Sequence, residues 1–433
     1  MSLPTHRASS STSMHLISLV LLALWALWAF AKYRTGWGGD LAAVWFAGHF
    51  AAQGQLDLIY AAPPDFFGGT PPQWLPLHDA LGLDQTNPAF PYIYPPLWAG
   101  LMAPLTETLS PHAFQQVFLA LNILLLAGCV LLAEQIARPA SMSPLVFRLW
   151  SIATLALATP ATVALGLNQP SIIVAFLILL AGTIMVKRPV LSGAAIAVAS
   201  AIKLTPVVFV AIYFMLPRKN TTARKHSLIA FCVVSATLAG ASILLMGWPL
   251  HRAFLDQLDL ASSKSIWSTI NPSARILILD LGHKLGLSAP LDPSRASQTL
   301  MLLRMPLWPG LVMGGIAVLL GARAFALARP RHGAPARALA VLGMSIGLFL
   351  LGPLSWLHYL IVPMLLAPAL IAGLSRRASI AILALILIAN SNPVLNIFAH
   401  NKLDFLPYTA LIVTIWALAL GLTFRALAYQ PRD

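Results

Sequence analysis

Long apolar runs recur along this chain, and short basic clusters separate them. The runs at 15–31, 171–186 and 228–246, and 380–389 with its flanks, approach the roughly 20 residues that a helix needs to cross a hydrocarbon layer. Inside lipid every backbone polar group has to be paired within the spanning structure, which leaves helices or closed barrels. Continuous apolar runs of this length favour helices. Composition agrees: charged residues are 9% of the chain, against about 25% in a soluble domain. A water-facing surface could not be covered with so few. The expectation is an all-α, polytopic transmembrane bundle of about ten to thirteen membrane helices, forming a single domain over 1–433.

The 27 Lys and Arg outnumber the 13 Asp and Glu, giving a net charge of +14. In a soluble chain that excess would suggest nucleic acid. Here the cations sit between apolar runs, which is the distribution that sets membrane orientation. A lipid bilayer is therefore expected as the partner, and nucleic acid is not. Cys129 and Cys232 both fall in apolar runs and read as small buried hydrophobes, with no disulfide framework. The first run contains Trp25 and Trp28 and lacks a small-residue cleavage site, so it reads as an uncleaved helix rather than a signal peptide.

Placing the basic clusters in the cytoplasm orders the rest. They are Arg138/Arg148, Lys187-Arg188, Arg218-Lys219 with Arg224-Lys225, Arg323/Arg329/Arg331/Arg337, Arg376-Arg377 and Arg425/Arg432. Residues 149–186 form a hairpin turning at Gly166-Leu167-Asn168-Gln169-Pro170. A shorter hairpin, 190–217, turns at Lys203-Leu204-Thr205-Pro206, where Pro206 breaks the helix. A third, 338–374, turns at Gly352-Pro353-Leu354-Ser355-Trp356-Leu357-His358-Tyr359, and the last pair turns within 390–407. Two large outer loops, helical or irregular, are expected at about 32–93 and 248–306. One difficulty is parity. Residues 94–106 and 114–136 both look like crossings, one more than the charge pattern allows.

Polar groups at membrane depth are expensive and tend to serve function. Asp40, Tyr92, Tyr94, Asn168, Gln169, Lys203, Asn271, Arg275 and His358 all fall on the outer side of this topology. Asp40 is the candidate catalytic carboxylate, a general base for an acceptor hydroxyl. Gly38 and Gly39 beside it would let a substrate approach the backbone. The competing reading is that Asp40 caps an amphipathic helix over 40–53. Lys203, inside an apolar run, calls for an anionic partner such as a lipid phosphate, or snorkels to an interface. His358 could orient a phosphate or sugar hydroxyl, or belong with Trp356 and Tyr359 to an interfacial aromatic belt. Tyr92 and Tyr94 also fit such a belt, and Asn168-Gln169 fits a plain polar turn. Asp256 and Asp259 read as solvated. No HExxH, Walker A or GxSxG pattern occurs, and no paired acidic motif supports a metal. No cofactor is expected. No cytoplasmic loop is large enough for a nucleotide-sugar domain, so the donor of a transferase would come from the membrane.

An ordered set of short motifs resembles glycosyltransferase family 87. They are Gly39-Asp40 through Gln53-Gly54-Gln55-Leu56-Asp57-Leu58-Ile59-Tyr60, then Tyr92-Ile93-Tyr94-Pro95-Pro96 and Gly166-Leu167-Asn168-Gln169. Ala201-Ile202-Lys203-Leu204-Thr205-Pro206 and Ser355-Trp356-Leu357-His358 follow. The resemblance implies a GT-C fold and metal-independent, inverting transfer from a polyprenyl-phosphate sugar, mannose foremost, to a lipid-linked or envelope glycan. It implies Asp40 as base and Lys203 and His358 at the donor phosphate. Two departures stand out. The polar turn reads Asn168-Gln169-Pro170 rather than Gly-Gln-x-Asn, and Tyr359 replaces a second histidine. A transporter or flippase and a lipid-linked glycan ligase are the alternatives. The ligase reading draws on Arg252, Arg275, Arg295 and Arg304 in the second loop.

Overall fold

Proline starts many of the helices, where its missing N–H would be unpaired anyway. The computed structural model describes residues 6–63, 66, 68–262, 264–287, 301–304, 307–328, 331, 333–352, 354–372, 374–399 and 405–430. Arg295, Arg329, Pro353 and Arg432, named above, lie outside the described residues, as does most of the stretch 288–306.

The chain begins with α1 (His6–Tyr33), α2 (Gly39–Ala52), α3 (Leu75–Ala80), α4 (Pro96–Thr108) and α5 (Pro111–Ala137). Ser110 caps α5 by accepting from the Ala113 amide at 3.3 Å. Next come α6 (Pro144–Leu157), α7 (Thr159–Gly166), α8 (Ser171–Ile184) and α9 (Pro189–Ile202). A 3-10 segment, Thr205–Val210, leads into α10 (Ala211–Phe214) and the long α11 (Thr221–Met246).

The second large loop holds α12 (Trp248–Ser262) and α13 (Ala274–Lys284). It also holds β1 (Lys264–Trp267), paired antiparallel with β2 (Met301–Arg304). This two-stranded ribbon is the one ladder of strands among the described residues. The bundle closes with α14 (Leu307–Ala328), α15 (Ala334–Leu351), a 3-10 turn at Leu357–Leu360, α16 (Ile361–Leu366), a second 3-10 turn at Ala367–Ile371, α17 (Arg376–Ala389), α18 (Asn392–Ala399) and α19 (Phe405–Ala428).

Six of these helices are long and apolar enough to cross a membrane, and five shorter apolar stretches pack among them. The architecture is the expected all-α polytopic membrane bundle. The broken crossings are part of it. The α6–α7 pair breaks at Ala158, where the Thr159 amide donates to the Asn390 carbonyl at 2.7 Å. The freed backbone groups are thus paired inside protein, as lipid requires.

The contacts at each end of the bundle resolve the parity difficulty. At one end Arg148, 3% exposed, donates to Glu134 at 2.7 Å and to Ser18 at 2.8 Å. That joins the start of α1, the end of α5 and the start of α6. At the other end Gln115 donates to the Gly38 carbonyl at 2.8 Å, and Trp37 meets His112 edge-on at 5.3 Å. So α1 and α5 each cross once, in opposite senses. Helix α4 does not cross. Its 13 residues span only about 20 Å, and it runs back along α2, with Met102 and Thr106 against Gly48 and Leu109 accepting from Trp45 at 3.0 Å. Arg138 and Arg148 therefore keep to the same end of the bundle as Ser18 of α1.

Three local expectations need correcting. Helix α2 is not amphipathic: Leu41 through Ala47, Gly48 and Phe50 are all buried. It is enclosed by α4, by α5 and by Trp74, which stacks on Phe46 at 5.5 Å. Cys232 is exposed on α11, while Cys129 is buried as expected. Ser227, Ala230, Ser242 and Met246 are the buried residues of α11, and Cys232 lies away from them on its exposed side. Tyr92 and Tyr94 are each 2% exposed, so they belong to the core rather than to an interfacial belt.

Candidate active site

Five chain breaks meet at the end of the bundle away from the basic clusters. They are the start of α2, the strand-like approach to α4, the α7–α8 turn, the α9 terminus and the turn before α16. Each break lies near a Gly or Pro, and together they bring polar side chains to one level.

Gly38, not Asp40, is the N-cap of α2. Asp40 therefore lies in the first turn with its carboxylate free to leave the helix. Gln169 donates from Nε2 to Asp40 Oδ2. The Gln169 carbonyl oxygen accepts from the Ser171 hydroxyl at 3.2 Å and faces the Tyr94 hydroxyl at 3.5 Å. Lys203 donates from Nζ to Ser171 Oγ at 2.8 Å. The same ammonium lies 5.7 Å from the Tyr94 ring centre and 5.2 Å from that of Tyr359, a cation–π arrangement. Lys203 sits just past the end of α9, where Pro206 keeps the chain from continuing the helix.

His358 is buried, stacked on Trp356 at 6.2 Å and edge-on to Tyr359 at 5.0 Å. Its Nε2 has no hydrogen-bond partner among the described residues. It lines a cavity of about 40 Å³ together with Lys203, Ser171, Thr205, Ser345 and Tyr359. Among the described residues, no carboxylate lines that cavity. An ammonium, an unpartnered imidazole nitrogen and four hydroxyl side chains make it a receptor for an anion.

Burial pushes the Asp40 carboxyl up to about 6, with Lys203 and the Gln169 amide pulling it back. A carboxylate poised there is still ionised at neutral pH and is a stronger base than a solvated one.

The other sequence candidates fall elsewhere. Asn168 adopts a left-handed backbone, φ 49°, which an asparagine tolerates better than most residues. This turns its side chain away from Gln169. It donates to the Gln115 carbonyl at 2.8 Å and accepts from Asn122 at 2.8 Å, latching the turn onto α5. Tyr92 donates to the Pro95 carbonyl at 2.9 Å and packs behind Tyr94 at 5.5 Å. Asn271 accepts from the Ser355 amide at 2.7 Å and so holds the turn that carries His358. Arg275, half-buried near the start of α13 with Nε unpartnered, joins neither Asp40 nor Lys203 among the described residues.

Gly38 and Gly39 do not open the backbone to a substrate. A Cβ on Gly38 would stand 2.6 Å from Asn168 Cβ, and one on Gly39 would stand 2.8 Å from the Phe90 ring. They are glycines because the α7–α8 turn and Phe90 fill that space. Ser171 is the member that sequence reading passed over; a serine opening an apolar helix reads as an ordinary helix start.

Among the described residues, no group of three or more His, Cys, Asp or Glu side chains is placed to hold a metal ion. The sequence profile of glycosyltransferase family 87 matches residues 92–353. No curated protein and no solved structure is similar enough to this chain to count as a match.

Proposed function

The chain belongs to glycosyltransferase family 87, and we propose that it moves a sugar, mannose before others, from a polyprenyl-phosphate donor to a lipid-linked or envelope glycan acceptor. The reading places this on the outer face of a bacterial plasma membrane, with inversion, in a single domain over 1–433. The observation that carries it is the joining of Asp40 to Lys203 through Gln169 and Ser171, beside a cavity that no carboxylate lines among the described residues. One end offers a base and the other a seat for a phosphate.

Asp40 takes the proton of an acceptor hydroxyl. That oxygen forms a bond to the anomeric carbon from the face opposite the phosphate. The carbon–phosphate oxygen bond breaks, and its electron pair leaves on the polyprenyl phosphate. Lys203 meets the growing negative charge, and the unpartnered nitrogen of His358 orients the phosphate. Fixed donors aimed at a developing anion in a water-poor site are an effective way to lower such a barrier. Tyr94 and Tyr359 cover the ammonium from two sides. Arg275 has a place here only if the second loop folds over the donor. Lys203 in a lining that has no carboxylate among the described residues favours a phosphate ligand over transported cations.

The test is sugar transfer by purified protein in liposomes, with a panel of polyprenyl-phosphate sugars and a native lipid extract. Transfer from one donor names the sugar. Failure with every donor, using folded protein and a competent extract, overturns the reading in favour of transport or ligation.

A further inference from the structure

The basic end of the bundle, opposite Asp40 and Lys203, holds a cavity of its own, with a volume of about 30 Å³. Three connections meet there. They are the end of α8, the stretch from α10 into α11, and the α14–α15 turn. The helices fix its position. Helix α8 starts at Ser171 beside Lys203, and its 14 residues carry it about 20 Å away. Helix α15 runs the other way, from Ala334 beside this cavity to Leu351 next to the turn that carries His358.

Two arginines line the cavity. Arg331 is 2% exposed and donates to the Leu327 carbonyl and to the Ala428 carbonyl, the latter at 3.3 Å. Those carbonyls belong to the last turns of α14 and α19, where a cation is favourable on structural grounds alone. Arg337 is different. It is the fourth residue of α15, and its Nε is buried with no hydrogen-bond partner among the described residues. A buried N–H without an acceptor is costly. No carboxylate lines the cavity among the described residues. Glu134, at the same end, is already engaged by Arg148 at 2.7 Å and Arg138 at 3.6 Å.

The rest of the lining narrows the kind of anion. Met185, Leu216 and Ala336 give apolar walls, and Asn220 adds an amide. Exposed Lys187, Arg188 and Arg218 follow directly on the lining residues Val186 and Pro217, so further cations stand at its edge. Helix α14, whose Ala328 borders the cavity, presents Leu311, Val318 and Leu319 outward, a face suited to acyl chains.

We infer that this cavity binds the phosphate of an anionic membrane lipid in the leaflet at the basic end, with Arg337 as the principal donor. A guanidinium matches phosphate through parallel N–H bonds, and basic pockets between membrane helices take such headgroups. A free phosphate offers the same oxygens but leaves the apolar walls uncovered. A lipid brings glycerol and acyl carbons to cover them. The site is separate from sugar transfer. It joins the basic ends of α8, α10 and α15, so a bound lipid stabilises the folded bundle by mass action.

The test uses full-length protein in detergent, stripped of lipid. Its Tm is followed while phosphatidylglycerol, phosphatidylcholine or inorganic phosphate is titrated in. Phosphatidylglycerol should raise Tm in a saturable way, and the other two should not. In Arg337→Met the concentration for half the effect should rise about tenfold or more, as expected for loss of a hydrogen bond to a charged group. Arg376→Met, a basic-cluster cation outside the cavity, should leave it unchanged. An equal shift with phosphatidylcholine, or an unchanged half-point in Arg337→Met, overturns the inference. An equal shift with inorganic phosphate would put a free anion in the cavity and overturns the lipid assignment.

A second measurement needs no variant. Phosphatidylglycerol carrying a diazirine near its headgroup is photolysed with the unaltered protein in vesicles. Adducts are expected on 212–220 and 333–340. Added unlabelled phosphatidylglycerol should remove them, and the same amount of phosphatidylcholine should not. Adducts confined to other segments, or equal removal by phosphatidylcholine, would show that the cavity does not select an anionic headgroup.

Discussion

Lys203 and Asp40 stand at opposite ends of one hydrogen-bonded chain, through Ser171 and Gln169. Its direction is fixed by chemistry. An ammonium only donates, so Ser171 accepts from Lys203 and spends its own proton on the Gln169 carbonyl. The Gln169 amide nitrogen is then the end that faces Asp40, and it donates to a carboxylate. Reversing any link would set two donors or two acceptors against each other.

Asp40→Asn keeps the size of the side chain and removes its basicity. Loss of a general base is worth about 10²–10⁴ in rate. Transfer in liposomes should fall by that factor while binding of the lipid donor persists. Full activity in Asp40→Asn would end the base assignment.

The pH dependence has a definite sign. Asp40 works only when ionised, and burial raises its carboxyl to about 6. Activity should therefore be level at neutral pH and fall as the pH drops through about 6, approaching tenfold per unit below it. A rate profile with both membrane faces at equal pH reads this directly. An acid limb near 4, where a solvated carboxylate titrates, would mean that Asp40 is not the group observed.

The cations divide. Lys203 lines the anion cavity, whereas Arg275 joins no member of the chain among the described residues. Lys203→Met should lower kcat about 10²–10³-fold, the range for removal of one charge-stabilising donor. Arg275→Ala should leave kcat within about threefold, well under the 1.4 kcal/mol that makes a tenfold change. Equal losses in the two variants would bring the second loop into the site.

Much of this was legible in the sequence, and the reason is physical. Each membrane turn needs a Gly or Pro break, so the turns at 166–170, 203–206 and 352–359 could be found by their breakers. Side-chain direction at those breaks could not. Asn168 and Gln169 are neighbours, and only the left-handed φ of Asn168 sends one toward α5 and the other to Asp40. Helix α4 was ambiguous because a short apolar run reads alike whether it meets lipid or a buried helix such as α2. Ser171 gave no signal, since its role depends on Lys203, 32 residues away in sequence.

Gly38 sets how closely α2 approaches the α7–α8 turn. In Gly38→Ala the new Cβ would meet Asn168 Cβ and the Leu167 carbonyl oxygen, each at 2.6 Å. Backbone on one side and a latched asparagine on the other cannot yield cheaply. Overpacking of this kind destabilises by about 1–3 kcal/mol, and Tm in detergent should drop. Activity should drop further than stability alone accounts for, because Asp40 moves with the helix start. An unaltered Tm would show that the turn gives way.

Ser171 separates a positioning role from mere packing. In Ser171→Ala the Gln169 carbonyl loses its closer donor and keeps only the Tyr94 hydroxyl at 3.5 Å. The amide is then freer to rotate away from Asp40, and the carboxylate loses a bond that lowers its pKa. The acid limb of the rate profile should move up in pH, and kcat should fall about tenfold as the base loses its orientation. Ser171→Thr keeps the hydroxyl and should return both the limb and most of the rate. A side chain that only fills space would behave otherwise: threonine, the larger residue, would be the worse of the two, and the limb would stay put. An unmoved limb in Ser171→Ala would show that Lys203 and Asp40 act without the chain between them.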